Sequence, residues 1–160
     1  MRKQSIHTDF VIYDSRGELP AGDRELLDAA TGAISNAYAP YSHFRVGAAV
    51  LLEGGTVVTG NNQENAAYPS GMCAERVAVW NASSQYPDKK ILKIAISVRS
   101  ELKTIDKPVA PCGACRQTLL EYEYKQHQPV EVLFTGETGV IVKAPSLSAL
   151  LPFGFDESYL

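Results

Sequence analysis

Apolar residues recur at helical spacing between Asp23 and Ala39, where Leu26, Leu27, Ala30, Ile34, Ala37 and Tyr38 share a face and Pro40 supplies a stop. The pattern then changes to short apolar runs, Val46 to Leu52 and Thr56 to Thr59, around Glu53-Gly54-Gly55, which predicts an antiparallel hairpin with a glycine-containing loop. Cys73 to Ser84, rich in Ala, Val, Glu and Arg, predicts a helix, and β-branched Ile91 to Val98 predicts a buried strand. The alternation repeats. Cys112 to Gln126, with Leu119, Leu120, Tyr122 and Tyr124, reads as a helix, and Val130 to Phe134 as a strand. Val140 to Val142 follows the Gly136-Glu137-Thr138-Gly139 turn, and Ser146 caps a last short helix ending at Pro152. Phe10 to Tyr13 offers either an edge strand or a surface crossing. Helices interspersed with strands around one sheet predict an α/β sandwich with a mixed sheet, because a hairpin is antiparallel and helical crossovers favour parallel neighbours.

The chain has 160 residues, 45% hydrophobic and 21% charged, enough for one core and one domain. Its formal net charge of -3 argues against an extended phosphate-binding surface, since nucleic-acid affinity rests largely on lysine and arginine. A small-molecule substrate fits better. No segment approaches the roughly 20 apolar residues of a membrane span, so a cytoplasmic protein with no membrane and no nucleic-acid partner is expected. Three cysteines cannot all pair within one chain, which leaves metal binding or reactive thiols as their leading uses.

Cys73-Ala74-Glu75 and Pro111-Cys112-Gly113-Ala114-Cys115 use every cysteine, and each set falls at a predicted helix start. Cys112 and Cys115, three apart, share a helical face and can grip one ion, with Cys73 arriving from the neighbouring helix. The positive end of a helix favours the thiolate that zinc requires. Zinc normally takes four ligands, so three protein ligands leave one position for water, the arrangement of a catalytic site. Three thiolates around a zinc dication leave one net negative charge, and Arg76 and Arg116 are positioned in sequence to offset it by donating to sulfur. Glu75 borders the open position, where a carboxylate can take a proton from water and later deliver it to a ring nitrogen and a leaving amine. Taken singly, the motifs leave alternatives: a Cys-x-x-Cys redox pair, a zinc-stabilised interaction module, or an ordinary buried thiol at Cys73.

The two cysteine motifs match the known zinc deaminase signature in its three-cysteine form. From about Asp23 onward the chain closely resembles the cytidine deaminase family that acts on free nucleosides. The residues that carry the likeness are Tyr38-Ala39-Pro40-Tyr41-Ser42-His43-Phe44-Arg45-Val46-Gly47, Asn62-Gln63-Glu64-Asn65-Ala66-Ala67-Tyr68, Cys73-Ala74-Glu75-Arg76 and Pro111-Cys112-Gly113-Ala114-Cys115-Arg116-Gln117. The resemblance implies a three-layer αβα sandwich around a mixed five-stranded sheet over residues 21–160, with 1–20 an N-terminal extension. It implies one zinc ion per subunit on Cys73, Cys112 and Cys115, Glu75 as proton shuttle, and hydrolysis of cytidine and 2'-deoxycytidine to uridine and 2'-deoxyuridine plus ammonia. Asn62 and Glu64 then hydrogen-bond the ribose, Glu64 at its 3'-hydroxyl, and Phe44 stacks on the pyrimidine. Ala74 and Tyr68 are further substrate contacts. The resemblance also implies a homotetramer in which Phe155 is lent to a neighbouring site, the alternative being that Phe155 packs within its own subunit. Deamination of another cytosine nucleoside, such as the antibiotic blasticidin S, is the nearest enzymatic rival. Among the histidines, His43 is expected to face solvent, and His7 and His127 suggest no role.

Overall fold

In the computed structural model, which describes residues 1–160, helix α1 (Ala21–Ala33) buries Leu26, Leu27, Ala30 and Ala33 along one face. It ends sooner than its apolar period predicts. After a single 3-10 turn over Ile34–Asn36, Tyr38 is drawn out to donate its N–H to the Asn62 carbonyl (3.0 Å) and to accept from the Glu64 N–H (2.9 Å). Pairing with a distant segment here overrides local helical preference.

The strands are β1 (Val11–Tyr13), β2 (Phe44–Leu52), β3 (Val57–Asn61), β4 (Ile91–Ser100), β5 (Glu131–Thr135) and β6 (Ile141–Ala144), in the sheet order β1-β6-β5-β4-β2-β3. Helices α2 (Ala74–Gln85), α3 (Gly113–Lys125) and α4 (Leu147–Leu150) complete the fold. Only β4 and β5, joined through α3, run parallel; every other neighbour pair is antiparallel. The five strands expected become six, because β1 pairs with β6 from Val11↔Lys143 to Tyr13↔Ile141. Main-chain pairing carries this edge strand: Val11 and Ile12 stay exposed, so side-chain alternation gave no signal for it.

Alternate strand residues face opposite layers. Ala49, Ala95 and Leu133 meet α1, whereas Ala48, Val50, Ile94, Ile96 and Val132 join α2 and α3 in the larger core. Two glycines set the spacing on either side. A Cβ at Gly47 would lie 2.0 Å from the Ala30 carbonyl oxygen of α1, and one at Gly60 would lie 2.4 Å from the Ala78 nitrogen of α2. Each helix therefore rests on bare backbone of the β2–β3 hairpin.

Under α1, the buried Asp23 carboxylate bridges Lys93 of β4 and Lys143 of β6, and both lysines also reach Glu131 of β5 at 3.0 Å. Burial pushes the Asp23 carboxyl up, but hydrogen bonds from Lys93 and Lys143 outweigh it and hold the group below its ordinary 3.8. The folded state thus binds fewer protons at Asp23 than the unfolded chain, so its contribution is complete above the unfolded value and fades as pH falls through the folded one. Removing one partner of a fully buried pair costs about 3–5 kcal/mol. Because Lys93 and Lys143 keep 27% and 16% of their side-chain surface exposed, Asp23→Ala is expected to cost about 2 kcal/mol at pH 7. Denaturant melts should show that cost shrinking toward about pH 2, and an equal loss at both pH values would contradict it.

Candidate active site

The N-termini of α2 and α3 come together where their cysteines cluster. Cys73 and Cys112 are the N-cap residues of these two helices, in extended backbone conformation, and Cys115 lies in the first turn of α3. Cap residues precede the helical hydrogen-bond ladder, so their side chains stand beside the unsatisfied N–H groups and the positive helix end. The three sulfurs lie within 4.8 Å of one another, and no histidine or carboxylate joins the group. Tetrahedral zinc with Zn–S bonds of about 2.3 Å needs sulfurs roughly 3.8 Å apart, so this donor set fits one zinc ion and leaves the fourth ligand to come from outside the chain.

Arg76, in the first turn of α2, donates from Nη2 to Cys73 Sγ at 3.5 Å, and its guanidinium lies 5.9 Å from the Trp80 ring centre. Its Nε is buried without an acceptor, a donor left over beside an anionic cluster. Hydrogen bonds from the Cys115 thiol and from Arg76 overcome burial and pull the Cys73 thiol down to about 5, the direction ligation requires. Cys115, whose thiol donates to the Cys73 sulfur and is buried beside it, is pushed up instead. Arg116 departs from expectation. Its Nε donates to the Pro111 carbonyl (2.8 Å) and its Nη1 to the Leu150 carbonyl (3.0 Å), so it ties α4 to α3 and does not donate to sulfur. One residue beyond Cys115, its side chain leaves the helix in another direction.

A cavity of about 580 Å³ opens over the sulfurs, within the size range of small-molecule sites. Cys73, Cys112, Glu75 and Arg76 line its floor, and Phe44, Asn62, Glu64 and Tyr68 its walls. Glu75 is only 5% exposed; burial, reinforced by negative charge at Cys73, pushes its carboxyl above the usual carboxylate range. Asn62 is half-committed to structure. Its Oδ1 accepts from the Val46 N–H and its Nδ2 donates to the Phe44 carbonyl, both at 2.8 Å, which fixes the start of β2 and leaves one amide proton for a ligand. Glu64 accepts from the N–H groups of Tyr41 (2.9 Å) and Ser42 (3.2 Å) and from the Ser42 hydroxyl. Slight burial opposes ionisation, but these bonds outweigh it and keep the carboxyl below its usual range.

The remaining residues singled out in the sequence are placed differently. Tyr68 is exposed at the cavity mouth, its ring 6.2 Å from that of Tyr41. The Ala74 side chain is wholly buried in the core, so any ligand contact it makes comes from its main chain. Phe155 lies outside the cavity of its own chain, 56% exposed and stacked on Tyr159 at 5.4 Å, with its main chain gripped on both sides by the Gln117 amide (2.7 and 3.1 Å). It does not pack within its own core. His43 is half-buried, its side chain 45% exposed, and contacts Glu101 at 3.1 Å. Sequence reasoning passed over Ser42, which lines the cavity; a hydroxyl two residues before Phe44, able to accept the Phe44 N–H, was the available signal.

Comparison with known proteins agrees with this geometry. The sequence profile described as the cytidine and deoxycytidylate deaminase zinc-binding region matches residues 20–129. A cytidine deaminase of Halalkalibacterium halodurans is 45% identical over 100 residues, which cover 62% of this chain and 71% of that protein. One from Sporosarcina psychrophila is 37% identical over 136 residues, covering 85% of this chain and 93% of the relative. The crystal structure of cytidine deaminase from Burkholderia pseudomallei superposes with a TM-score of 0.71 at 38% identity, covering 82% of this chain and 97% of that one. With three sulfurs gathered at two helix starts beneath a carboxylate-lined cavity, and with these relatives, the chain belongs to the zinc-binding cytidine and deoxycytidylate deaminase family.

Proposed function

We propose that this chain hydrolyses cytidine and 2'-deoxycytidine to uridine and 2'-deoxyuridine with release of ammonia, a reaction of pyrimidine salvage. The observation that carries this reading is the shared cavity: three sulfurs with no fourth protein ligand sit beneath the same walls that present a buried carboxyl, an aromatic ring, an amide and a second carboxylate. Zinc held by Cys73, Cys112 and Cys115 would supply Lewis acidity and lower the pKa of water toward neutrality. Glu75 takes the proton of the attacking water, passes it to N3 of cytosine, and assists departure of the amine from C4. Phe44 stacks on the pyrimidine, while Asn62 and Glu64 orient the ribose through the remaining amide proton and carboxylate lone pair.

The working form in this proposal is a cytoplasmic homotetramer. Three free cysteines suit a reducing compartment. An exposed aromatic ring at Phe155, on a tail fastened to α3 and outside the cavity of its own chain, suits a neighbour's site. Incubating the zinc-loaded protein with cytidine is expected to remove the cytosine absorbance and release one ammonia per uridine. A strong chelator should abolish turnover, and added zinc should restore it. Zinc-loaded protein that leaves both nucleosides unchanged would overturn the reading.

A further inference from the structure

Ser42 holds the ribose-side carboxylate in a way no other side chain does. Glu64 Oε2 is saturated, accepting the Tyr41 N–H at 2.9 Å and the Ser42 N–H at 3.2 Å. Oε1 receives only the Ser42 hydroxyl, so it is the oxygen with acceptor capacity left. That hydroxyl is itself directed: the Phe44 N–H donates to Ser42 Oγ at 3.1 Å, and with a donor on its lone pair the single hydroxyl proton goes to Glu64. The intervening residue makes this geometry possible. His43 adopts a left-handed backbone (φ 54) uncommon for a non-glycine residue, which lets Ser42 and Phe44 both line the cavity. It is held there by Glu101, which meets the His43 ring at 3.1 Å, donates its own N–H to the His43 carbonyl at 3.0 Å, and accepts from Arg45 Nε at 2.7 Å.

We propose that Ser42 is a positioning residue that aims Oε1 of Glu64 at the 3'-hydroxyl of the bound nucleoside, and so sets affinity for the sugar without touching the reacting atoms. This rests on the reading that Glu64 binds that hydroxyl. The effect of removing the Ser42 hydroxyl must then depend on whether the substrate has a 3'-hydroxyl, which a general loosening of the loop would not require.

The test is steady-state kinetics of Ser42→Ala, Ser42→Thr and Glu64→Ala on cytidine and on 3'-deoxycytidine. Ser42→Ala is expected to raise KM for cytidine about ten-fold with kcat nearly unchanged, the size of a hydrogen bond to a charged acceptor. Its KM for 3'-deoxycytidine should stay within about two-fold of the parent enzyme's. Ser42→Thr, which keeps a hydroxyl, should recover most of the loss. Equal losses on both substrates, or no loss on cytidine, would overturn the role of Ser42 while leaving that of Glu64 intact, provided Glu64→Ala weakens cytidine more than it weakens 3'-deoxycytidine. If Glu64→Ala weakens both equally, the ribose reading of Glu64 fails and the Ser42 proposal falls with it.

Discussion

Glu75→Gln is expected to remain folded with one zinc ion per chain and to lose about 10³-fold in kcat, within the range for removal of a general acid–base group. The side chain is 5% exposed at the second position of α2, and glutamine has the same shape and can still accept a hydrogen bond, so packing and metal capture should be spared. What glutamine cannot do is accept the proton of water and return it to the ring. Zinc content measured by atomic absorption, the melting temperature and turnover of cytidine together separate the chemical loss from a structural one. Turnover within a factor of about ten of the parent would remove Glu75 from the mechanism.

Cys115→Ser should act through the metal. Cys115 is fully buried in the first turn of α3, and a serine hydroxyl there does not ionise near neutral pH to replace a thiolate. The purified variant is expected to hold little zinc and to lose more than about 100-fold in activity, beyond the 10- to 100-fold typical of changes to groups that merely support a ligand. Its melting temperature should fall toward that of the chelated parent, because the metal then no longer stabilises the folded form. A variant that retains stoichiometric zinc at equal affinity would show that Cys115 is not a ligand.

The chemistry of the site was legible in the sequence because it is written in residue types with few other uses: three cysteines at two predicted helix starts, and a glutamate two positions after the first. Helices α2 and α3 were visible for a related reason, since their bounds coincide within a residue or so with the cysteine motifs. The end of α1 was not, because Tyr38 leaves the helix to bond Asn62 and Glu64, partners more than twenty positions away. Strand β1 was legible only as one of two options for Phe10 to Tyr13, since main-chain pairing with β6 leaves no periodic trace in exposed side chains. The direction of Arg116 depended on where α4 docks, and the double engagement of Asn62 on the register of the β2–β3 hairpin. Such features belong to tertiary structure and have no local signature.

The bare backbone at Gly60 has an implication for how this protein can change over time. The Ala74 carbonyl and the Ala78 nitrogen sit where a methyl group on residue 60 would have to go, and both belong to the stretch of α2 that begins at Cys73 and carries Glu75. Even the smallest added side chain would lift that turn off the sheet and carry sulfur and carboxyl away from the nucleoside together. A position with no functional group is thereby as intolerant of mutation as one that handles protons, and the width of a single hydrogen atom becomes part of what defines the reaction centre.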